Sequence, residues 1–319
     1  MVSPQDIFEI EPKSLTGDDQ SQGDPEASVS SDSSASLSRG KLIRRRFLRS
    51  KSGLLGVSML SFIVLLAIFG PYITKYSYSQ IDYNAILKGP DSNHWFGGDS
   101  LGRDIFARTM QGLRKSLIIG FFAAVLTTGM AAVAGSVAGY FGRFVDIGVV
   151  WVIDLLLVIP SFLILAILSP ILAGRTWLWL VPLLSIFSWM ITGRVVRGMT
   201  LSLKEREYVA AARFMGVSAP TIIRRHLLPN MASLLIVDVT INVGATILAE
   251  TGLSFFGFGV QPPDVSLGSI IGQYETYATT FPFTVVFASL ALILTVLSVS
   301  LIGDALRDAI DPTSGSSRL

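Results

Sequence analysis

Six apolar stretches, each long enough to cross a bilayer, constrain this chain more than any other feature. They occupy roughly residues 53–73, 116–140, 145–172, 177–196, 232–256 and 282–303. About 20 predominantly apolar residues suffice to bridge a hydrocarbon layer of ~30 Å as a helix. The composition agrees: 50% of residues are hydrophobic and only 15% are charged, where an ordinary soluble domain carries about 25% charged residues. The expected fold is therefore all-α, a polytopic membrane protein with six transmembrane helices. The absence of cysteine excludes a disulfide scaffold and thiolate chemistry. A net charge of +2 is too small to suggest a nucleic-acid partner. Pro71, Pro160 and Pro182 lie in or at the edge of spans, where neighbouring helices can satisfy the carbonyls that proline frees. Within the second span Ala131, Gly135 and Gly139 form a small-residue ridge suited to close helix contact.

Residues 14–38 are rich in Ser, Asp, Gln and Gly and offer almost nothing to bury, so a disordered tail is expected over 1–38. A basic run follows: Arg39, Lys41, Arg44, Arg45, Arg46, Arg49 and Lys51. The apolar stretch after it is too long for a signal-peptide core and lacks a small-residue cleavage site. The expected organisation is thus a tail (1–38), a basic segment with a first span (39–73), an extracytoplasmic loop (74–115), a five-helix core (116–303) and a cytoplasmic tail (304–319). With both termini inside, 18 of the 25 Lys and Arg fall on the inner side and 7 on the outer, as the positive-inside rule demands. Four of those 7, from Arg103 to Lys115, crowd the second span.

The inner loop over 200–230 is longer than a helix connection needs. Ser202 with Glu205 has the spacing of a capping box and predicts a helix over 204–215. Gly216 is placed to end it. Ser218 and Pro220 suit the first turn of a second short helix, which Pro229 is expected to stop. Tyr208, Ala211, Ala212 and Met215 share one helical face. Two readings fit that face: insertion into a groove on another protein, or a helix lying flat on lipid.

This stretch resembles the EAA loop of ATP-binding-cassette importer permeases. Ala211, Ala212, Gly216, Leu228 and Pro229 match in register, whereas Ala210 stands in place of the family glutamate and His226 in place of an isoleucine. The resemblance covers nearly the whole chain after Arg39 and narrows to the dipeptide and oligopeptide permease subfamily. Gly98, Asp99, Gly102, Arg103 and Asp104 match before the second span, and Asp146, Asp154 and Pro160 match in the third. Leu253, Ser254, Phe255, Gly257, Gly259, Pro262 and Pro263 match after the fifth, with Leu267 at the usual tryptophan position. The resemblance implies a type I importer permease (MetI-like) fold. It also implies a second, homologous permease, two cytoplasmic ATPase domains, an extracytoplasmic solute-binding protein and a peptide substrate. Coupling to the ATPases would fall to Glu207, Tyr208, Ala211, Ala212, Arg213, Met215 and Gly216. Nickel or opines as cargo would fit the same motifs, and a self-sufficient secondary transporter or channel is the rival from another class.

No phosphate-binding loop occurs, and two histidines without cysteine leave few parts for a catalytic or metal site. A non-enzymatic subunit is expected, binding no cofactor itself, with ATP and magnesium on partner subunits. His94 is expected in an exposed loop and His226 at an interface. Within the bilayer the polar candidates are Asp154, Asp238, Asn242 and Glu250. Ionisable groups there should face protein or water. Asp238, Asn242 and Glu250 are spaced to share one helical face. They line a solute path or lock helices together.

Overall fold

The computed structural model describes residues 39–172 and 176–311. The tail expected over 1–38 lies outside the described residues. A short basic helix α1 (Arg39–Phe47) leads through a break to α2 (Lys51–Ile73), which Ser50 caps by accepting from the Gly53 amide at 3.2 Å. Next come α3 (Ile105–Phe141), α4 (Arg143–Val158), α5 (Ser161–Leu168), α6 (Leu180–Ile186) and α7 (Met190–Leu203). The chain continues with α8 (Glu207–Phe214), α9 (Ala219–Ile222), α10 (Leu228–Phe255), α11 (Leu267–Tyr274) and α12 (Phe283–Ile310). Among the described residues there is no strand, only two isolated bridges in the loop after α2.

Among the described residues, four helices are long and apolar enough to span a membrane, and six spans result if each of two bent pairs counts as one. The pair α4–α5 bends by 81°. Pro160 stands at its break, and Ile159 before it takes extended backbone (φ −83°, ψ 127°), as a pre-proline residue should. The second bend, 48° over Phe187–Trp189, is not proline's work, because Pro182 sits inside α6. Instead the Ser185 and Ser188 hydroxyls each donate to the carbonyl one turn back, at 2.8 Å, a substitution that bends helices.

α3 runs against α7 and α10, and α2 against α12. The expected ridge is the reason for the first contact. A Cβ at Gly135 would lie 2.5 Å from the Gly193 carbonyl, and one at Gly139 would lie 2.7 Å from Thr200 Cβ. Gly56 similarly admits α12, its missing Cβ being 2.9 Å from Leu301 Cβ.

α3 starts eleven residues before the expected span. Asp104 caps it, accepting from the Ala107 amide at 2.7 Å. Three of the four cations over 103–115 are instead drawn into the bundle and partnered, while Arg114 stays exposed. Arg103 donates to Asp99 at 2.7 Å, Lys115 pairs with Asp264, and Arg108 donates to Gln273 at 2.9 Å. At the other end of the chain, α12 continues past Gly303 to Ile310.

Candidate functional site

The loop over 200–230 folds as a helical hairpin, though not with the expected start. α7 runs through Ser202, whose hydroxyl donates back to the Gly198 carbonyl at 3.4 Å. The Ser202–Glu205 capping box therefore does not form. Helix α8 starts at Glu207 after a turn over 204–206. Lys204 leaves that turn to cap α3, donating to the Gly139 carbonyl at 3.1 Å.

The helix ends where expected. Gly216 has φ +76°. Its amide donates to Arg213 at 3.0 Å and that of Val217 to Ala212 at 3.1 Å, the paired closure of a Schellman motif. Ser218 and Pro220 open α9 as expected. Pro229, however, stops nothing. A π turn over Ile223–Leu227 joins α9 to α10 without a break. That wider turn inserts one residue and relieves the ring–carbonyl clash that proline makes in a regular helix.

Val209 and Ala212 turn inward, packing with Val196, Ile222, Leu227 and Met231. Ala212 thus leaves the face that the sequence spacing assigned to it. The outward face carries Glu207, Tyr208, Ala211, Phe214 and Met215, with Arg213 and Gly216 also exposed. Phe214 is 93% exposed and Met215 76%. Phe214 was missed by the sequence reading, although it stands three residues after Ala211. Arg213 lies 5.9 Å from the Tyr140 ring, and Tyr208 stands 6.3 Å from the His226 ring. Beside the hairpin is a recess of about 750 Å³ lined by Leu203, Glu205, Arg206, Glu207, Tyr208 and Asn230.

The polar residues of the spans do not form one site. Asp238 accepts from Thr128 at 2.6 Å, Thr192 at 2.7 Å and Asn242 at 2.9 Å, tying α3, α7 and α10 together. It also lines a 520 Å³ cavity with Thr192 and Arg307. Glu250 stands apart, three turns farther along α10. It is fully buried and accepts from Ser116 at 3.2 Å and Ser254 at 2.5 Å. The expected common environment thus holds for Asp238 and Asn242 but not for Glu250, because the twelve residues from Asp238 carry it about 18 Å along the axis. Asp154 is half-exposed and pairs with Arg194.

At the opposite end of α3 from the hairpin, the loop after α2 is tightly built. His94 is buried, not exposed as expected. Its Nδ1 lies 3.0 Å from Asp104, its Nε2 3.4 Å from Asp82, and its ring stacks on Tyr76 at 4.3 Å. Asp99, wholly buried, accepts from Arg103, Tyr274 and the Leu101 and Arg103 amides. A 420 Å³ cavity beside it is lined by Arg103, Arg108, Gln261, Asp264 and Gln273 among others. Burial pushes the Asp99 carboxyl up. The Tyr274 and Arg103 hydrogen bonds and the two guanidinium charges outweigh this and hold it below the usual carboxylate range. Burial also raises the Tyr274 phenol, which stays protonated and donates.

A carboxyl lowered in the folded state stabilises above its unfolded value and loses that contribution as pH falls. Hydrogen-exchange protection of the Leu101 and Arg103 amides, corrected for intrinsic rate, is therefore expected to decline below about pH 4. Helix-interior amides such as that of Ile119 should keep theirs. Equal protection at pH 3 and pH 6 would refute this role for the ionised Asp99 carboxylate.

Residues 131–315 match the family described as binding-protein-dependent transport system inner membrane component. This chain belongs to that family. Residues 38–90 match the N-terminal TM domain of oligopeptide transport permease C. The oligopeptide transport system permease protein OppC of Mycobacterium tuberculosis is 48% identical over 282 residues, covering 88% of this chain and 97% of the relative. The dipeptide transport system permease protein DppC of Alkalihalophilus pseudofirmus is 37% identical over 268 residues, 83% of this chain and 86% of the relative. A putative peptide permease protein of Brucella ovis is 36% identical over 269 residues, 84% and 89% of the two chains. The helical architecture is the MetI-like one that the family implies. The chain is a non-catalytic, membrane-embedded subunit of a transport complex.

Proposed function

We propose that this chain is one permease subunit of an ATP-driven peptide importer, forming half of the translocation pathway. The peptide permease names of its relatives support the cargo. The observation that carries the coupling is the helical hairpin, which has a firm inward face at Val209 and Ala212 and an unpartnered outward pair, Phe214 and Met215. A large apolar pair held on a rigid base suits a groove on another protein. That partner is the cytoplasmic ATPase pair. The complex is completed by a second, homologous permease and an external solute-binding protein. Both termini are cytoplasmic. In support, that orientation puts 18 of the 25 Lys and Arg on the inner side, as the positive-inside rule demands.

In operation, ATP-driven closure of the ATPases would carry the hairpin and, through α7 and α10, open the path toward the binding protein. Such closure must favour one permease state over the other for any coupling to exist. The test is Phe214→Ser. ATP-dependent peptide uptake in vesicles containing the full complex should fall at least tenfold, with permease abundance in the membrane unchanged. Crosslinks from positions 208–215 should capture an ATPase. Capture of phospholipid alone, with uptake intact, would overturn the reading.

A further inference from the structure

The basic run before the first span has so far served only to orient the chain. α1 is a nine-residue helix separated from α2 by a turn over residues 48–50. It packs along α12, and two contacts show how it is held. Arg46 donates to the Asp311 carbonyl at 3.4 Å, capping the C-terminal end of α12. Phe47 fills the notch where α2 meets α12: a Cβ at Gly53 would lie 3.1 Å from its ring and 2.8 Å from Ala305.

The other cations have no such work. Lys41, Arg44, Arg45, Arg49 and Lys51 are exposed, and none forms an ion pair among the described residues. The contrast with Arg103, Lys115, Arg194 and Arg197, each paired with a carboxylate, is sharp. Leu42 and Leu48 stand among these cations and are 40% and 50% exposed. The 23 residues of α2 span about 34 Å, against ~30 Å of hydrocarbon. Its first residue, Lys51, is thus at headgroup level, and α1 stays within about a Debye length of the lipid surface.

We propose that α1 is a binding surface for anionic phospholipid headgroups, in which Lys41, Arg44, Arg45 and Arg49 meet lipid phosphates and Leu42 and Leu48 enter the interface. Charge complementarity selects this occupant. Basic side chains beside a spanning helix attract anionic lipid, and apolar residues between them suit an interface better than open water. The inference needs only the membrane placement of the chain and is independent of cargo and coupling.

The full chain in neutral micelles would be titrated with fluorescent phosphatidylglycerol, with phosphatidylcholine and soluble glycerol phosphate as parallel arms. Each surface cation contributes about fivefold, so Lys41→Gln/Arg44→Gln/Arg45→Gln/Arg49→Gln should weaken phosphatidylglycerol binding by about 600-fold. The variant keeps Arg46 and Phe47, and its size-exclusion profile reports whether it still folds. Arg44→Lys/Arg45→Lys/Arg49→Lys should bind within about twofold of the parent, because a lipid surface reads charge rather than fork geometry. Binding should weaken with salt and be absent for phosphatidylcholine. Equal phosphatidylglycerol affinity in the parent and the glutamine variant would overturn the proposal. So would loss of binding in the lysine variant, which would replace a charge-reading surface with bidentate capture of single phosphates. Equal binding of glycerol phosphate would overturn it in favour of a free-phosphate site.

Discussion

Gly216→Val is expected to abolish ATP-dependent uptake, by tenfold or more, in a permease that still reaches the membrane in normal amount. The cause is backbone geometry and not crowding. No atom lies within 4 Å of the Cβ that the substitution adds, but Gly216 sits at φ +76°. A left-handed backbone costs an L-residue roughly 1–2 kcal/mol, and more when the side chain is β-branched. The Schellman closure from Gly216 and Val217 to α8 would then give way. Phe214 and Met215 would lose their fixed presentation while the spans, packed elsewhere, persist. Asparagine tolerates the left-handed region better than most residues, so Gly216→Asn should retain a larger share of uptake than Gly216→Val. The measurement is peptide uptake in vesicles, normalised to permease content. Normal uptake in the valine variant would remove the hairpin from the coupling path.

The second large effect belongs to the opposite end of the bundle. Asp99→Ala should destabilise the purified permease by about 3–5 kcal/mol, the usual result of removing one partner from a buried charge cluster. Arg103 and Arg108, 17% and 3% exposed at the side chain, would be left facing each other without their carboxylate. Tyr274 would lose its acceptor. Asp99→Asn, which keeps the size and some acceptor capacity, should fall between parent and alanine. Unfolding midpoints in detergent would report all three. A loss below about 1 kcal/mol in the alanine variant would mean that water or rearrangement already supports the guanidinium groups.

Apolar length and the glycine ridge were sufficient to anticipate the spans and a close helix contact on α3, because both depend on local residue type, whereas α7 as the partner in that contact was not legible. Gly216 was legible for the same reason: few residues hold its backbone cheaply. What failed depended on partners distant in sequence. Ser202 has a capping spacing, but α7 had already committed it to the helix interior, and its hydroxyl turned back to Gly198. Pro229 looked like a stop until a π turn absorbed it. The cations after residue 100 marked a loop, yet Asp99, Asp264 and Gln273 draw Arg103, Lys115 and Arg108 into the bundle. His94 is buried by Asp82, Asp104 and Tyr76, a pocket no local pattern announces. At the hairpin, the inward and outward sides of α8 could be told apart only once Val209 had found Ile222 and Met231.

The π turn at Ile223–Leu227 also has a mechanical meaning. By keeping α9 and α10 in one uninterrupted helix, it gives a 37-residue rod from Ala219 to Phe255, about 55 Å long. A tilt of about 10° around the midpoint of such a rod swings each tip by roughly 5 Å, in opposite directions. One tip adjoins the Phe214–Met215 knob and the other approaches Glu250 and the Arg108 cavity. A small push at one surface of the membrane can therefore become a pull at the other, with no change of secondary structure in between.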